Sequence, residues 1–335
     1  MKEKSPLVSV LVTPYNQKDY IRQSLDSILM QQCDFDFEVV IGEDCSTDGT
    51  REICQEYAAK HPERIVLCLN EVNKGLLNNY FDIFLKAKGN YIADCGGDDY
   101  WLTDSKLQEQ VDLLEANPEV SLVAGNWQLY EQKTGLLTRP RSWLVQDRFQ
   151  PEEFGKHAVA SYLNVGEIPR VVLASSCFRG DWARDSYQHH PELFRGEGIV
   201  CEDLPLTLGL LMRGPFYFSQ KNWLTYRVLE KSLSHSDSWN SYMKGFAFSA
   251  YCQTLDLATT LGVSIRQIRP YALGKAGDFV LHACLNKDPE FLEKVFQTLN
   301  KHALKPSFKQ RFLRWSMHVP PLAALIRSRH FKEIA

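Results

Sequence analysis

Three pairs of adjacent acids are the residues best placed to do chemistry in this chain: Glu43-Asp44, Asp98-Asp99 and Glu202-Asp203. Neighbouring carboxylates repel each other unless something cationic sits beside them. For Asp98-Asp99, in the stretch YIADCGGDDYW, that partner is a metal, a basic side chain or water. Carboxylate oxygens suit Mg2+ or Mn2+, and Mg2+ commonly takes one or two protein carboxylates plus substrate phosphates. Gly96 and Gly97 before the pair let a bulky ligand approach the backbone. The competing reading is a turn aspartate with an N-cap for a helix near Lys106. Asp44 can accept from a nucleobase N–H or from ribose hydroxyls, or it can help cap the next helix, as can Ser46, Thr47 and Asp48.

The elements that must hold these residues alternate in type. LVSVLVTPYN is almost continuously apolar and β-branched, the pattern of a strand buried on both faces. FEVVIGED, RIVLCLN and NYIADC read as three further strands, and SLVAGNWQLY as a fifth. Between them Ile21, Leu25, Ile28 and Leu29 recur at helical spacing, as do Ile53 and Tyr57, then Leu77, Phe81 and Phe84, then Leu107, Val111 and Leu114. Such alternation predicts right-handed crossovers and a mostly parallel central sheet flanked by helices. Ligands of such sheets bind at the carboxyl ends of the strands. Here those ends are Thr13-Pro14-Tyr15-Asn16, Glu43-Asp44-Cys45-Ser46 and Gly96-Gly97-Asp98-Asp99, which should converge on one crevice. No G-x-G-x-x-G, Walker A or zinc-protease motif occurs, so the usual dinucleotide and P-loop readings have no support.

The bounds agree with an ordinary globular protein. The chain has 335 residues, 44% of them apolar and 24% charged, with a formal net charge of −3. That charge gives no argument for nucleic acid. Nine cysteines, an odd number with no C-x-x-C pair, fit reduced thiols in a cytoplasmic protein. No apolar run reaches 18 residues, so no spanning helix is expected.

The blocks VSVLVTPYNQKDYIRQSLDSIL, FEVVIGEDCSTDGTREIC, NEVNKG and GNYIADCGGDDYW, in this order and spacing, resemble the N-terminal half of family 2 inverting glycosyltransferases with the GT-A fold. The resemblance spans about residues 6 to 130. It implies that Thr13, Pro14, Tyr15, Asn16 and Asp44 hold the nucleotide of a sugar-nucleotide donor, a UDP-sugar first among candidates. Asn73, Gly75, Asp94 and Gly97 join that donor site. The family's metal element falls on Asp98 and Asp99, which would hold Mn2+ or Mg2+ and the donor diphosphate. One departure stands out. The family usually has an acid two residues before the first of these aspartates, and here Gly96 stands there. The ribose contact made from that place is then lost, moved to Asp94 or replaced by water.

Further on, residues 131 to 170 read as irregular and suited to covering an acceptor. VVLASSCFRG reads as a strand. Glu202-Asp203 opens a helix marked by Leu204, Leu208 and Leu211, where acids favour the helix dipole. The resemblance implies catalysis instead, with Asp203 as base and Glu202 second. In LTYRVLEKSLSHS, Arg227 and Lys231 are candidate phosphate contacts and His235 a candidate metal ligand. From about 236 the texture turns helical, which divides the chain into a catalytic domain, 1–235, and a helical region, 236–335. The tail KPSFKQRFLRWSMHVPPLAALIRSRHF mixes bases with aromatics. It is either a helix packed on the protein or a membrane-surface contact, the latter suiting a glycan or lipid-linked acceptor. A rival function is a non-catalytic nucleotide-sugar or glycan-binding protein that keeps the fold.

Overall fold

VSVLV is buried at every position, so it sits in the centre of a sheet and not at its edge. In the computed structural model, which describes residues 5–140, 143–164, 169–196, 198–229 and 238–316, this segment is strand β1 (Val8–Val12). It is followed by α1 (Ile21–Leu29), β2 (Phe37–Glu43), α2 (Thr50–Lys60), β3 (Ile65–Leu69), α3 (Leu76–Lys86) and β4 (Tyr91–Asp94). Then come β5 (Tyr100–Trp101), α4 (Lys106–Ala116), β6 (Leu122–Glu131), β7 (Leu136–Thr138), β8 (Arg148–Phe149) and α5 (Gly155–Leu163). The rest of the first compact unit is β9 (Ser176–Arg179), α6 (Gly180–His189), α7 (Glu192–Arg195), α8 (Asp203–Arg213) and β10 (Phe216–Val228).

The strands form one sheet in the order β3-β2-β1-β4-β9-β6-β10-β5, with β7 on β6 and β8 on β10. Pairings β1–β2, β2–β3, β1–β4 and β6–β10 are parallel, while β9 runs antiparallel between β4 and β6. The expected mostly parallel α/β sheet is therefore present. Its order makes β1–β4 a switch point. The chain winds outward from β1 to β3 and then returns to the other side of β1, which opens a crevice at the carboxyl ends of the two strands. Ile21, Leu25 and Ile28 of α1 and Leu107, Val111 and Leu114 of α4 share one core with β1, β2 and β4. Gly42 admits α3 closely: a Cβ there would lie 2.5 Å from Asn79 Oδ1, and Asn79 Nδ2 donates to the Gly42 carbonyl at 2.6 Å.

Residues 131 to 170 are less irregular than their sequence indicates. They hold a hairpin onto β6, a two-residue strand on β10 and helix α5. Two- and three-residue strands carry too little alternation to be read.

The chain divides into two compact units, Met1–Val159 with Ile168–Glu230, and Ala160–Glu167 with Lys231–Ala335. The end of α5 thus belongs to the second unit, where Asn164 Nδ2 donates to the Gln267 carbonyl and its Oδ1 accepts from the Tyr271 amide. The second unit is helical among its described residues. It holds α9 (Trp239–Tyr242), a π-helical turn, α10 (Phe248–Thr260), α11 (Arg269–Leu285), α12 (Pro289–Lys301) and α13 (Phe308–Ser316). Phe248, Tyr251, Phe279 and Phe291 form its aromatic core, with ring centroids 5.1 to 5.4 Å apart in the closest pairs. Among the described residues no helix is long and apolar enough to cross a membrane.

Candidate active site

The turns after β1, β2 and β4 meet around Pro14. The Asp44 amide donates to the Pro14 carbonyl at 3.3 Å. A Cβ on Gly97 would lie 3.2 Å from Pro14 Cβ and 2.2 Å from Gln17 Oε1, so only glycine fits there without displacing Gln17. Thr13, Asp44 and the Asp98 turn are thus gathered at one edge of the sheet.

Within this edge each predicted residue has its own surroundings. Tyr15 is exposed, and Asn16 adopts a positive φ of 51°. The Asn16 amide donates to Ser46 Oγ, and its Oδ1 accepts from the Thr47 amide, fastening the first turn to the second. Asp44 is buried. Its Oδ1 accepts from Asn70 Nδ2 and the Lys74 amide, and its Oδ2 accepts from the Gly75 amide. Three of roughly four acceptor positions on that carboxylate are taken, so Asp44 holds the loop before α3. Asn73 Oδ1 also accepts from the Gly75 amide, whose residue has a φ of 78°. Glu43 Oε2 accepts from Arg51 Nε at 2.6 Å and is part of the same scaffold.

Asp98 and Asp99 differ. Asp99 is buried, and its Oδ1 accepts from the Arg227 amide at 2.8 Å. The Asp98 carboxylate is only half-buried. A Cβ on Gly96 would sit 3.0 Å from Asp98 Oδ1 and 3.1 Å from Asp99 Oδ2. The two carboxylates therefore face one space that Gly96 leaves open. Burial is the first cause raising both carboxyls; the Asp98 charge adds to Asp99, and the Arg227 charge opposes the rise in both. A hard divalent cation fits this donor set, since two oxygen ligands converge and their repulsion calls for positive charge. Among the described residues no group of three or more His, Cys, Asp or Glu is placed to hold a metal ion.

A second set of acids adjoins the first. Asp94 is buried at the end of β4 and Oδ2 accepts from the Tyr80 hydroxyl at 3.1 Å. Burial raises it to about 7; Tyr80 opposes this, the Asp203 charge adds to it, and Lys106 opposes. Glu202 and Asp203 open α8. Solvent reaches Asp203, yet protein surrounds it closely enough that desolvation raises its carboxyl. Glu202 is raised too, by burial first and the Asp203 charge second, and its Oε2 is buried without a hydrogen-bond partner. Asp203 also raises Asp99. The acids at the end of β4, in the turn after it and at the start of α8 therefore form one electrostatic cluster. Such a cluster can hold a cation on one side and take up a proton on the other.

Several partners have no signal in the sequence. Tyr80 lies in an apolar helix pattern, and nothing there marks its hydroxyl as a donor to Asp94. Lys106 is fully buried, donates to Gln110 Oε1 at 2.7 Å and lies 4.0 Å from the Trp101 ring centroid; burial lowers it to about 8. Arg227, a candidate phosphate contact in the sequence, instead directs its guanidinium to protein oxygens and tyrosine rings. His235 and Lys231 lie outside the described residues.

A central sheet parallel through β3-β2-β1-β4 and β6-β10, with β9 antiparallel between the two sets and its switch point flanked by the turn after β1 and an acidic turn, is the GT-A arrangement. Solved structures agree on the fold. TarS of S. aureus, crystallised with UDP-GlcNAc, matches with a TM-score of 0.56 at 17% identity over 93% of this chain and 92% of that one. The mannosyltransferase PcManGT of Pyrobaculum calidifontis, in complex with GDP-Man and Mn2+, matches with a TM-score of 0.53 at 16% identity over 97% and 88%. The profile of Glycosyl transferase family 2 matches residues 9–165. The putative teichuronic acid biosynthesis glycosyltransferase TuaG of Bacillus subtilis is 40% identical over 245 residues, 73% of this chain and 87% of TuaG. The chain belongs to glycosyltransferase family 2. An uncharacterized protein of Mycobacterium tuberculosis is 41% identical over 115 residues, 34% of this chain, and the matched stretch spans 33% of that relative's length.

Proposed function

We propose that this chain is a metal-dependent inverting glycosyltransferase that moves a sugar from a nucleoside-diphosphate donor, first among them a UDP-sugar, to an acceptor hydroxyl in polysaccharide or glycan synthesis. The first compact unit is its catalytic domain. The observation that carries this reading is the convergence of Asp98 Oδ1 and Asp99 Oδ2 on the space beside Gly96 at the β1–β4 switch point, with the Asp203 charge acting on Asp94 and Asp99 of the same cluster. Thr13, Pro14, Tyr15, Asn16, Asn73, Gly75 and Gly97 line the nucleotide side, with Asp44 fixing the loop that carries Asn73 and Gly75. Asp98, with Asp99 behind it, holds Mn2+ or Mg2+. When bound, that ion neutralises the charge of the departing nucleoside diphosphate.

Asp203 takes the acceptor proton. Inversion needs attack from the face opposite the leaving phosphate, and a base raised toward neutrality suits proton transfer near pH 7. Glu202, raised further and lacking a partner for Oε2, keeps its proton and stays neutral beside Asp203. Asp94 is held by Tyr80 on this proton side, so the ribose contact displaced by Gly96 falls to main chain or water. The complexes of TarS with UDP-GlcNAc and PcManGT with GDP-Man and Mn2+ support a nucleotide-sugar donor and a divalent ion; TuaG supports a polysaccharide product.

The acceptor is a glycan or a lipid-linked one, and the enzyme works at the cytoplasmic face of a membrane. Helix α13 supports this. Gln310, Leu313 and Ser316 are buried, whereas Phe308, Phe312 and Trp315 are 78%, 39% and 56% exposed as one stripe. Residues 305–316 carry Lys305, Lys309, Arg311 and Arg314 and no acid, the composition of an interfacial helix on anionic lipid.

The test is release of nucleoside diphosphate from a panel of nucleotide sugars, with Mn2+ and with EDTA. One sugar should support release, and only with the metal. Tight donor binding without any turnover on glycan and lipid-linked acceptors would favour the non-catalytic binding protein.

A further inference from the structure

We infer that Arg227 is a positioning residue that sets the geometry of the Asp98-Asp99 turn and thereby its affinity for a divalent cation. The inference rests on the metal site proposed above. Arg227 lies near the end of β10, paired with Tyr130 of β6, and is 8% exposed. Two of its groups grip the acidic turn. Its amide donates to Asp99 Oδ1 at 2.8 Å, and its Nε donates to the Asp98 carbonyl at 2.8 Å. The remaining guanidinium nitrogens are anchored elsewhere: Nη1 donates to Gln132 Oε1 at 2.6 Å and Nη2 to Gln23 Oε1 at 2.7 Å. Tyr20, Tyr100 and Tyr130 surround its Cζ, with ring centroids at 4.8, 5.6 and 5.4 Å.

The arrangement has a direct chemical consequence. One residue fixes both the main chain of Asp98 and the carboxylate of Asp99, so it decides which oxygens remain available. Asp99 Oδ1 is engaged, and Asp98 Oδ1 and Asp99 Oδ2 are left facing the space above Gly96. The planar fork of arginine reaches three oxygens at once; a lysine ammonium on a flexible stem keeps the charge but not this fork. Gln23 follows from α1 and Gln132 from the start of the hairpin, so the fork ties the turn to both. Outer partners of metal ligands typically alter affinity by ~10- to 100-fold when removed.

The test titrates Mn2+ into the full-length protein with UDP present and reads free Mn2+ by electron paramagnetic resonance, alongside melting temperature. Arg227→Gln should weaken Mn2+ binding by ~10- to 100-fold, and Arg227→Lys should fall between it and the parent. Should Arg227→Gln fail to fold, the double variant Gln23→Ala/Gln132→Ala keeps the arginine but frees its fork, and a several-fold weakening is expected there. Asp98→Asn is the reference. If it abolishes Mn2+ binding while the Arg227 and glutamine variants bind as the parent does, with only their melting temperatures lowered, Arg227 is structural and the inference is wrong. If Asp98→Asn itself binds Mn2+ normally, the metal site is misassigned and the inference goes with it.

Discussion

Replacing Asp203 by Asn should separate proton transfer from donor binding. The side chain keeps its shape and loses its basicity. Protein packed around the solvent-reached Asp203 carboxyl raises it to about 6 by desolvation, so at pH 7 it is mostly ionised and ready to accept a proton. A general base is worth ~10²- to 10⁴-fold, and turnover should fall within that range. In the parent enzyme kcat/KM should rise with pH up to about 6 and then level. Below that point the base carries a proton and each pH unit costs about tenfold. The Asn variant should be slow at all pH values and lack that limb. Donor affinity has the opposite expectation. The Asp203 charge raises Asp99, so its removal lets Asp99 ionise more easily, and Mn2+-dependent UDP binding should hold or tighten slightly. Steady-state kinetics on the true acceptor, with UDP binding by calorimetry, reads both quantities. A variant that turns over normally and keeps the acid limb would refute the assignment. If Glu202→Gln were then inactive, the base would be Glu202.

Three other expectations follow from the same geometry. Asp98→Asn should weaken Mn2+-dependent UDP binding by tenfold or more, and Asp99→Asn by less, because an amide oxygen at 99 still accepts from the Arg227 amide; equal losses by calorimetry would contradict the division of labour. Gly96→Ala should weaken Mn2+ binding several-fold with little change in melting temperature, since the new Cβ meets Asp98 Oδ1 at 3.0 Å and Asp99 is pinned; tighter binding would count against the open space as the cation's place. Asp94, raised to about 7, holds its proton more tightly folded than unfolded, so its burial costs stability as pH rises from about 4 through about 7. In EDTA, Asp94→Asn should lose roughly 2–4 kcal/mol less than the parent between pH 4 and 8, and parallel denaturation curves would disprove this.

How much of the fold was legible depends on where each strand lies. β1 and β2 are buried at every position, so their sequences are mostly apolar, broken only by Ser9, Glu38 and Glu43, and have a clear meaning. β3, at the sheet's edge and only partly buried, still reads as a strand in RIVLCLN, whereas β5, β7 and β8 are two or three residues long and too short to carry a pattern. The direction of β9 is invisible in SCFR, because parallel and antiparallel pairing place the same side chains on the same faces. The membership of the end of α5 in the second unit is similarly hidden. Ala160–Asn164 continue the pattern of α5 while Asn164 bonds into the second unit, and no turn or linker marks the change.

The site was legible as an inventory of acids and not as a set of roles. Glu43-Asp44, Asp98-Asp99 and Glu202-Asp203 look alike as text, yet hydrogen-bond partners make them three different devices. Asp44 accepts from two amides and a carboxamide, which fixes it as a fastener of the loop before α3. In the second pair the Arg227 amide takes one oxygen of Asp99, and Asp98 is left as the more open ligand. In the third, one member is without a partner for Oε2 and the other is in reach of solvent, so burial acts on them unequally. Each distinction rests on a main-chain donor or on its absence, and main-chain donors carry no letter in a sequence. The residue types announce that charge will be handled at this edge of the sheet; only the backbone decides which carboxylate braces, which binds and which moves a proton.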